Sequence, residues 1–190
     1  MSVLVQRVGP GGFAQHRDAV ARLRIAVFRE WPYLYEGDLD YEARYLETYA
    51  RSPRMVAVLA LDGDALVGAS TGLPLTDEEP AFAAPVAGAG IDPARVFYFG
   101  ESVLDPRYRG LGLGHRFFDE REAHARALGF EVTAFAAVER AAGDPRRPAG
   151  ARDLGPFWRK RGYVHHPELR FRIPWREIGA AEETDQTLSF

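Results

Sequence analysis

The sequence predicts a single α/β domain over residues 1–190, with strands and helices interleaved along its length. Three observations predict it. Apolar runs of strand length alternate with segments whose apolar residues recur at helical spacing. The most apolar of these runs leads directly into Arg109-Gly110-Leu111-Gly112-Leu113-Gly114 and then an amphipathic helix. No repeat or compositional break divides the chain, and 190 residues are enough to bury one sizeable core.

Val3 to Val8 reads as a strand ending at Gly9-Pro10-Gly11-Gly12, after which Phe13, Val20, Leu23, Val27 and Phe28 mark a first helix. The aromatic-rich loop Trp31 to Asp38 breaks it, and Leu39, Ala43, Leu46 and Tyr49 suggest a second. Met55 to Leu61 and Ala65 to Leu73 read as strands joined by a tight turn at Asp62-Gly63-Asp64. Thr76 to Pro93, rich in Ala, Pro and Gly, is a connector with room for a short helix. Arg95 to Leu104 is the most hydrophobic strand, ended by Asp105-Pro106-Arg107-Tyr108. From Gly114, Phe118, Ala125 and Leu128 share a helical face while Asp119, Glu120, Arg121 and Glu122 face water, and Gly129 stops the helix. Phe130 to Val138 is the next strand, Glu139 to Asp153 a loop dense in Arg and Pro, and Leu154 to Arg161 a short helix. Tyr163 to His165 and Leu169 to Ile173 close the sheet, and the residues from Gly179 read as frayed.

Bulk properties exclude several function classes. With 46% hydrophobic and 27% charged residues the composition is that of a soluble globular protein, and no apolar run is long enough to span a bilayer. The segment Met1 to Val8 lacks the basic and apolar regions of a secretory signal, so the expected location is cytoplasmic. Zero cysteines exclude disulfides, thiolate metal sites and a cysteine nucleophile. A formal charge of −3 gives no global attraction to nucleic acid, and nothing resembles a base-reading helix. His165 and His166 point to opposite faces of a strand, and His115 and His124 do not share a helix face, so no metal site is expected.

The glycine turn carries the main chemical signal. Backbone N–H groups from Gly110 to Gly114 have neither ladder nor intrahelical partners, and glycines at 110, 112 and 114 let a diphosphate approach them. The helix dipole and the Arg109 guanidinium add favourable charge. A Walker loop is excluded because His115-Arg116 follows the last glycine in place of Lys and Ser or Thr. Gly9-Pro10-Gly11-Gly12-Phe13-Ala14 fits a dinucleotide fingerprint in spacing only, since Pro10 removes an amide the phosphates would need.

Arg109, Gly112 and Gly114, with Val103-Leu104-Asp105-Pro106 before them and Phe157-Trp158-Arg159-Lys160-Arg161-Gly162-Tyr163 after, resemble the signature of the GNAT N-acetyltransferase superfamily. The resemblance is close over residues 95 to 165. It implies a mixed, mostly antiparallel sheet of six or seven strands, splayed between two parallel central strands, with helices on both faces. It implies acetyl-CoA as acyl donor, with Val103, Leu104, Arg109, Gly110, Leu111, Gly112, Leu113, Gly114 and Trp158 along the coenzyme. Acetyl would then pass directly to a primary amine of a small molecule or protein, and a homodimer is a further expectation.

Such a transfer needs a base, because an alkylammonium is protonated at neutral pH. Glu101, the only carboxylate inside the run Val96 to Leu104, is the first candidate; the alternative is a glutamate that pairs an arginine to hold the sheet. Glu139 is the second candidate base. Trp158 occupies the position of the family's usual acid tyrosine, leaving Tyr163 or Ser102 as substitutes. The resemblance points to the loop between the first two helices for acceptor binding, where Tyr33, Tyr35 and Glu36 stand beside Trp31. Arg140 and Arg147, in a loop that also carries Arg146 and Arg152, suggest an acidic or polar acceptor. Two other functions are weighed: a serine hydrolase using Ser70 in Gly68-Ala69-Ser70-Thr71-Gly72, and a CoA-binding module without turnover. The first lacks the helix that a nucleophile elbow must open, since Leu73-Pro74-Leu75 follows.

Overall fold

The computed structural model describes residues 3–190; Met1 and Ser2, which the sequence reading attaches to the first strand, lie outside the described residues. In chain order the elements are β1 (Leu4–Val8), α1 (Pro10–Phe28), α2 (Leu39–Arg51), β2 (Val56–Asp62), β3 (Ala65–Pro74), α3 (Pro80–Gly88), β4 (Val96–Leu104), α4 (Leu113–Ala127), β5 (Val132–Ala134), β6 (Ala137–Val138), α5 (Gly155–Lys160), β7 (Arg170–Arg176) and β8 (Glu183–Ser189). One sheet has the order β1-β2-β3-β4-β5, a second has β6-β8-β7, and helices cover both faces.

The two sheets part inside what the sequence presents as one strand. β4 and β5 run parallel and pair only at Val96 with Val132, Phe97 with Thr133 and Tyr98 with Ala134. The chain then leaves β4, and Ala137 and Val138 pair with Ser189 and Leu188 of β8 in the other sheet. From Phe99 to Leu104 the matching edge of β4 has no strand partner, which opens a wedge. The expected splay between two parallel strands is therefore present, and the expected strand Phe130 to Val138 is two short ones.

β4 also carries a bulge. Gly72 of β3 pairs with Phe99 and Ser70 with Ser102, so Gly100 and Glu101 together face the single residue Thr71. Up to that point Val96 and Tyr98 belong to the core under α1 to α3, while Phe97 and Phe99 belong to the core under α4 and α5. Beyond it the alternation is inverted, and Val103 joins the α1 core while Leu104 packs on the α4 side. Glu101 is thereby turned toward α1 and α2 rather than toward α4. Gly100 is required there: a Cβ on it would lie 1.9 Å from the Tyr49 hydroxyl oxygen.

Several expectations are corrected. Gly9-Pro10-Gly11-Gly12 is no turn: α1 starts at Pro10, since proline at a first helical position loses no intrahelical bond. The tail from Gly179 is not frayed but forms β8, the middle strand of its sheet, hidden from the sequence reading by its polar composition. Tyr163 to His165 is irregular, and the sheet closes with β7 and β8 instead. Leu128 is exposed, and Arg121, expected in water, is 1% exposed. Its guanidinium donates to the carbonyls of Thr71, Glu101 and Phe117 and to Ser102 Oγ, bridging the bulge. Burial pulls its pKa down to about 10, which still leaves it charged at neutral pH.

Removing that bridge strands carbonyls that β3 and β4 cannot satisfy themselves. Arg121→Met is expected to lower unfolding free energy by about 2–3 kcal/mol in urea titration, whereas a surface arginine would cost about 0.5 kcal/mol or less.

Candidate active site

The mouth of the wedge is built from backbone. Gly110 and Gly112 adopt φ of 81° and 79°, a left-handed conformation that side-chain-bearing residues rarely take, and nothing lies within 4 Å of where their Cβ atoms would be. Gly112 caps α4 without any side-chain bond to its amides, and among the described residues no N–H from Gly110 to Gly114 has a protein acceptor. Leu113 is buried and anchors the turn, while Leu111 is 60% exposed over it. A row of free amides at the positive end of a 15-residue helix, with open space before it, is a receptor for an anion. Arg109 stands at its edge, half-exposed and 2.9 Å from Glu30.

The other face of the wedge holds three buried charges. Arg24 of α1 donates from Nε to Glu42 Oε2 of α2 at 2.5 Å and from Nη1 to Glu101 Oε2 at 2.5 Å. Its guanidinium also lies 4.4 Å from the Tyr45 ring centroid and 4.9 Å from that of Phe28. Burial by itself would lower the Arg24 pKa, but Glu101 and Glu42 hold it well above its usual value. Two carboxyl groups share one guanidinium, and among the described residues Glu101 Oε1 and Glu42 Oε1 are each buried without a partner. Glu101 lines a cavity of about 100 Å³ together with Tyr33, Tyr45, Tyr98, Phe82 and Trp175. Burial raises the Tyr33, Tyr45 and Tyr98 phenols, so all remain protonated.

Of the residues singled out from sequence, Glu101, Tyr33 and Tyr35 line this cavity. Glu36 lies beyond it in a second recess of about 460 Å³, shared at Tyr35, Tyr41 and Trp175. Glu139 is not at the cavity: it sits on the second sheet, and although partial burial works the other way, Arg170 holds its pKa below the usual range. Tyr163 packs between Phe118 and Phe135, donates its proton to Glu122 Oε1 at 2.9 Å, and is pushed up by burial. Trp158 rests on Phe135 with ring centroids 5.1 Å apart.

The basic loop is likewise corrected. Arg140 points inward, donating to the Pro32 and Tyr33 carbonyls and pairing with Glu177, so it straps the α1–α2 loop and has nothing left for a ligand. Arg146 is taken by Asp144 and Glu177, and Arg147 lies exposed and borders neither recess. Ser70 is fully buried in the middle of β3, which runs on to Pro74, so no helix opens at it and the hydrolase arrangement is absent.

Sequence reasoning missed Arg24, Glu42 and Trp175. The signal for the first two was there: Arg24 falls on the helical face of Phe13 and Val20, and Glu42 on that of Leu46 and Tyr49. A charge at a core position of each of two neighbouring helices marks a buried pair.

An anion cradle on one side of a split sheet and a buried carboxylate on the other define a transferase-like site between two parallel strands. Residues 22–149 match the acetyltransferase (GNAT) family, and the chain belongs to it, which makes it an acetyltransferase in general class. No curated protein matches the chain. Solved structures match in fold. A GNAT-family protein from Desulfovibrio desulfuricans has TM-score 0.56 at 13% identity, covering 99% of this chain and 97% of that one. AAC(6')-Iy, in complex with a bisubstrate analogue of CoA and acetylneamine, has TM-score 0.52 at 12% identity, covering 76% and 83%. An aminoglycoside acetyltransferase from an uncultured soil metagenomic sample, in complex with trehalose, has TM-score 0.51 at 16% identity, covering 83% and 86%. Among the described residues no helix is long and apolar enough to cross a membrane, and no cluster of metal-ligating side chains occurs.

Behind the cavity, the Tyr45 and Tyr49 hydroxyls lie 3.2 Å apart, and Tyr49 donates to Glu78 at 3.4 Å. Burial raises Glu78 from 4.5 to about 7. The folded chain therefore binds a proton that the unfolded chain has released between these values, and Glu78 favours folding below about 4.5 and loses that contribution as pH rises through about 7. Glu78→Gln is expected to flatten this loss, on the order of 3 kcal/mol, when urea midpoints are compared from about pH 5 to about pH 8.

Proposed function

We propose that this chain transfers an acetyl group from acetyl-CoA to a primary amine, by direct attack of the amine on the thioester. The observation that carries the proposal is the row of unpartnered amides from Gly110 to Gly114 at the mouth of the β4–β5 split. These amides and the α4 dipole fit a diphosphate, and the open edge of β4 at Val103 and Leu104 fits an extended arm leading into the wedge. Bound acetyl-CoA supplies the thioester. Glu101 Oε1 takes one proton from the incoming ammonium. The free amine then forms the C–N bond as the C–S bond breaks, and its second proton leaves with the thiolate. Arg24 fixes the carboxylate through its other oxygen, so the acceptor meets an oriented base. The bisubstrate analogue held by AAC(6')-Iy joins CoA to an amine and is in keeping with such a direct transfer.

CoA should raise the melting temperature, and Gly112→Trp, which fills the open space before the amides, should abolish that rise. Glu101→Gln should keep the rise but lower kcat by roughly 10²–10⁴ when thiol release is followed with an amine acceptor. A melting temperature indifferent to CoA would defeat the proposal. A rise with no turnover on any amine would leave a binding module.

A further inference from the structure

The chamber beside Glu101 is small and aromatic, with Glu101 as the carboxyl group in its lining, and those three properties restrict the acceptor. We infer that the acceptor is a compact primary monoamine with an apolar, ring-sized body, its ammonium on Glu101 Oε1 and its body among the aromatic walls. The inference rests on the acetyl-transfer reading and deepens it.

Volume sets the size. At roughly 10–15 Å³ for each water-sized site, the chamber of about 100 Å³ has room for on the order of 7–10 such sites, the scale of a compact acceptor body. The walls set the polarity: Tyr33, Tyr41, Tyr45, Tyr98, Phe82 and Trp175 present ring faces and edges. Of their polar atoms, the Tyr45 hydroxyl pairs with Tyr49 and the Trp175 indole donates to the Tyr33 carbonyl, while the Tyr35 hydroxyl beside them is buried without a partner among the described residues. Charge sets the sign and number. Glu101 Oε1 is a carboxylate oxygen without a partner, and ring faces favour a cation near it. Arg24, the only cation lining the chamber among the described residues, is spent on Glu42 and Glu101, so an acceptor carboxylate has no counter-charge there. A second ammonium inside would likewise lack one.

The outer recess accounts for approach rather than selection. Glu36, Asp38, Glu182 and Glu183 face it against Arg176, on the far side of Tyr35, Tyr41 and Trp175 from Glu101. This acidic mouth concentrates cations before the chamber, and any further positive charge on an acceptor stays outside.

Thiol release from acetyl-CoA is measured with 2-phenylethylamine, ethylamine, 1,4-diaminobutane and neamine. The expected result is a kcat/KM for 2-phenylethylamine at least roughly tenfold above each of the others. Ile173→Trp, which narrows the chamber, should raise KM for 2-phenylethylamine by roughly tenfold or more, and for ethylamine by less, while the CoA-induced melting shift persists. Tyr41→Ala, on the accessible wall, should reduce the preference for the ring-bearing amine and serves if the tryptophan variant fails to fold. Equal use of ethylamine, or better use of the diamine or of neamine, overturns the monoamine inference and leaves acetyl transfer standing. A CoA shift without thiol release for any amine, or no CoA shift, overturns the acetyl-transfer reading and this inference with it.

Discussion

The two-for-one pairing at Gly100 and Glu101 is the constraint on which the site depends. Strict alternation would group Glu101 with Phe97 and Phe99 under α4, on the face where the Arg121 guanidinium lies over the Phe99 and Phe118 rings. One extra residue in β4 turns it to the opposite face, within reach of Arg24. The bulge creates a debt in backbone polarity, because the Thr71 and Glu101 carbonyls fall out of ladder register. Arg121 reaches across from α4 to satisfy both, and the Tyr49 hydroxyl of α2 fills the space that Gly100 leaves. Three helices are thus fixed relative to one irregularity in one strand.

The buried triad of Arg24, Glu42 and Glu101 is best read as placement rather than as a source of stability. Removing three charged groups from water costs more than surface pairing returns, and an apolar trio of equal volume would hold α1, α2 and β4 together at least as well. What an apolar trio would lack is an oriented carboxylate with a free oxygen. Of the sequence-based alternatives for Glu101, the arginine partner is observed at Oε2, and it is compatible with a base, since Oε1 has no partner among the described residues. Arg140 shows the opposite use of a cation, tying the Pro32 and Tyr33 carbonyls to the second sheet so that the aromatic loop is held over the chamber.

Much of the fold was legible, because most elements bury one face and write it as periodicity. Helices α1, α2 and α4 and strands β2, β3 and β4 fall within a few residues of where apolar spacing puts them. The glycine turn was legible for a different reason: positive φ and open amides demand glycine at 110 and 112, and few other needs do. β8 was illegible because Glu183, Thr184, Asp185 and Gln186 bury little, and its strand character comes from pairing on both sides. The break between β5 and β6 was illegible because Phe130 to Val138 is continuously strand-like, and only the competing partner β8 divides it. Arg121 was misplaced because helical polarity was read residue by residue, without asking which strand carbonyls needed a donor.

The two faces of the wedge therefore differ in how far sequence can speak for them. The anion cradle is made of main chain, and any residues that permit its φ values and leave its amides free reproduce it. The chamber is made of side chains drawn from α1, α2, α3, β4, β7 and β8, brought together only by tertiary folding. Relatives at 12–16% identity share the path of the chain while most side chains differ, so likeness of fold carries no information about chamber walls. Acceptor choice has to be argued from this chain's own aromatic rings, the Glu101 carboxyl group and the cavity they line. On that footing the aminoglycosides handled by structural relatives and the compact amine inferred for this chain are no contradiction, since one backbone wedge can serve chambers of different size and charge.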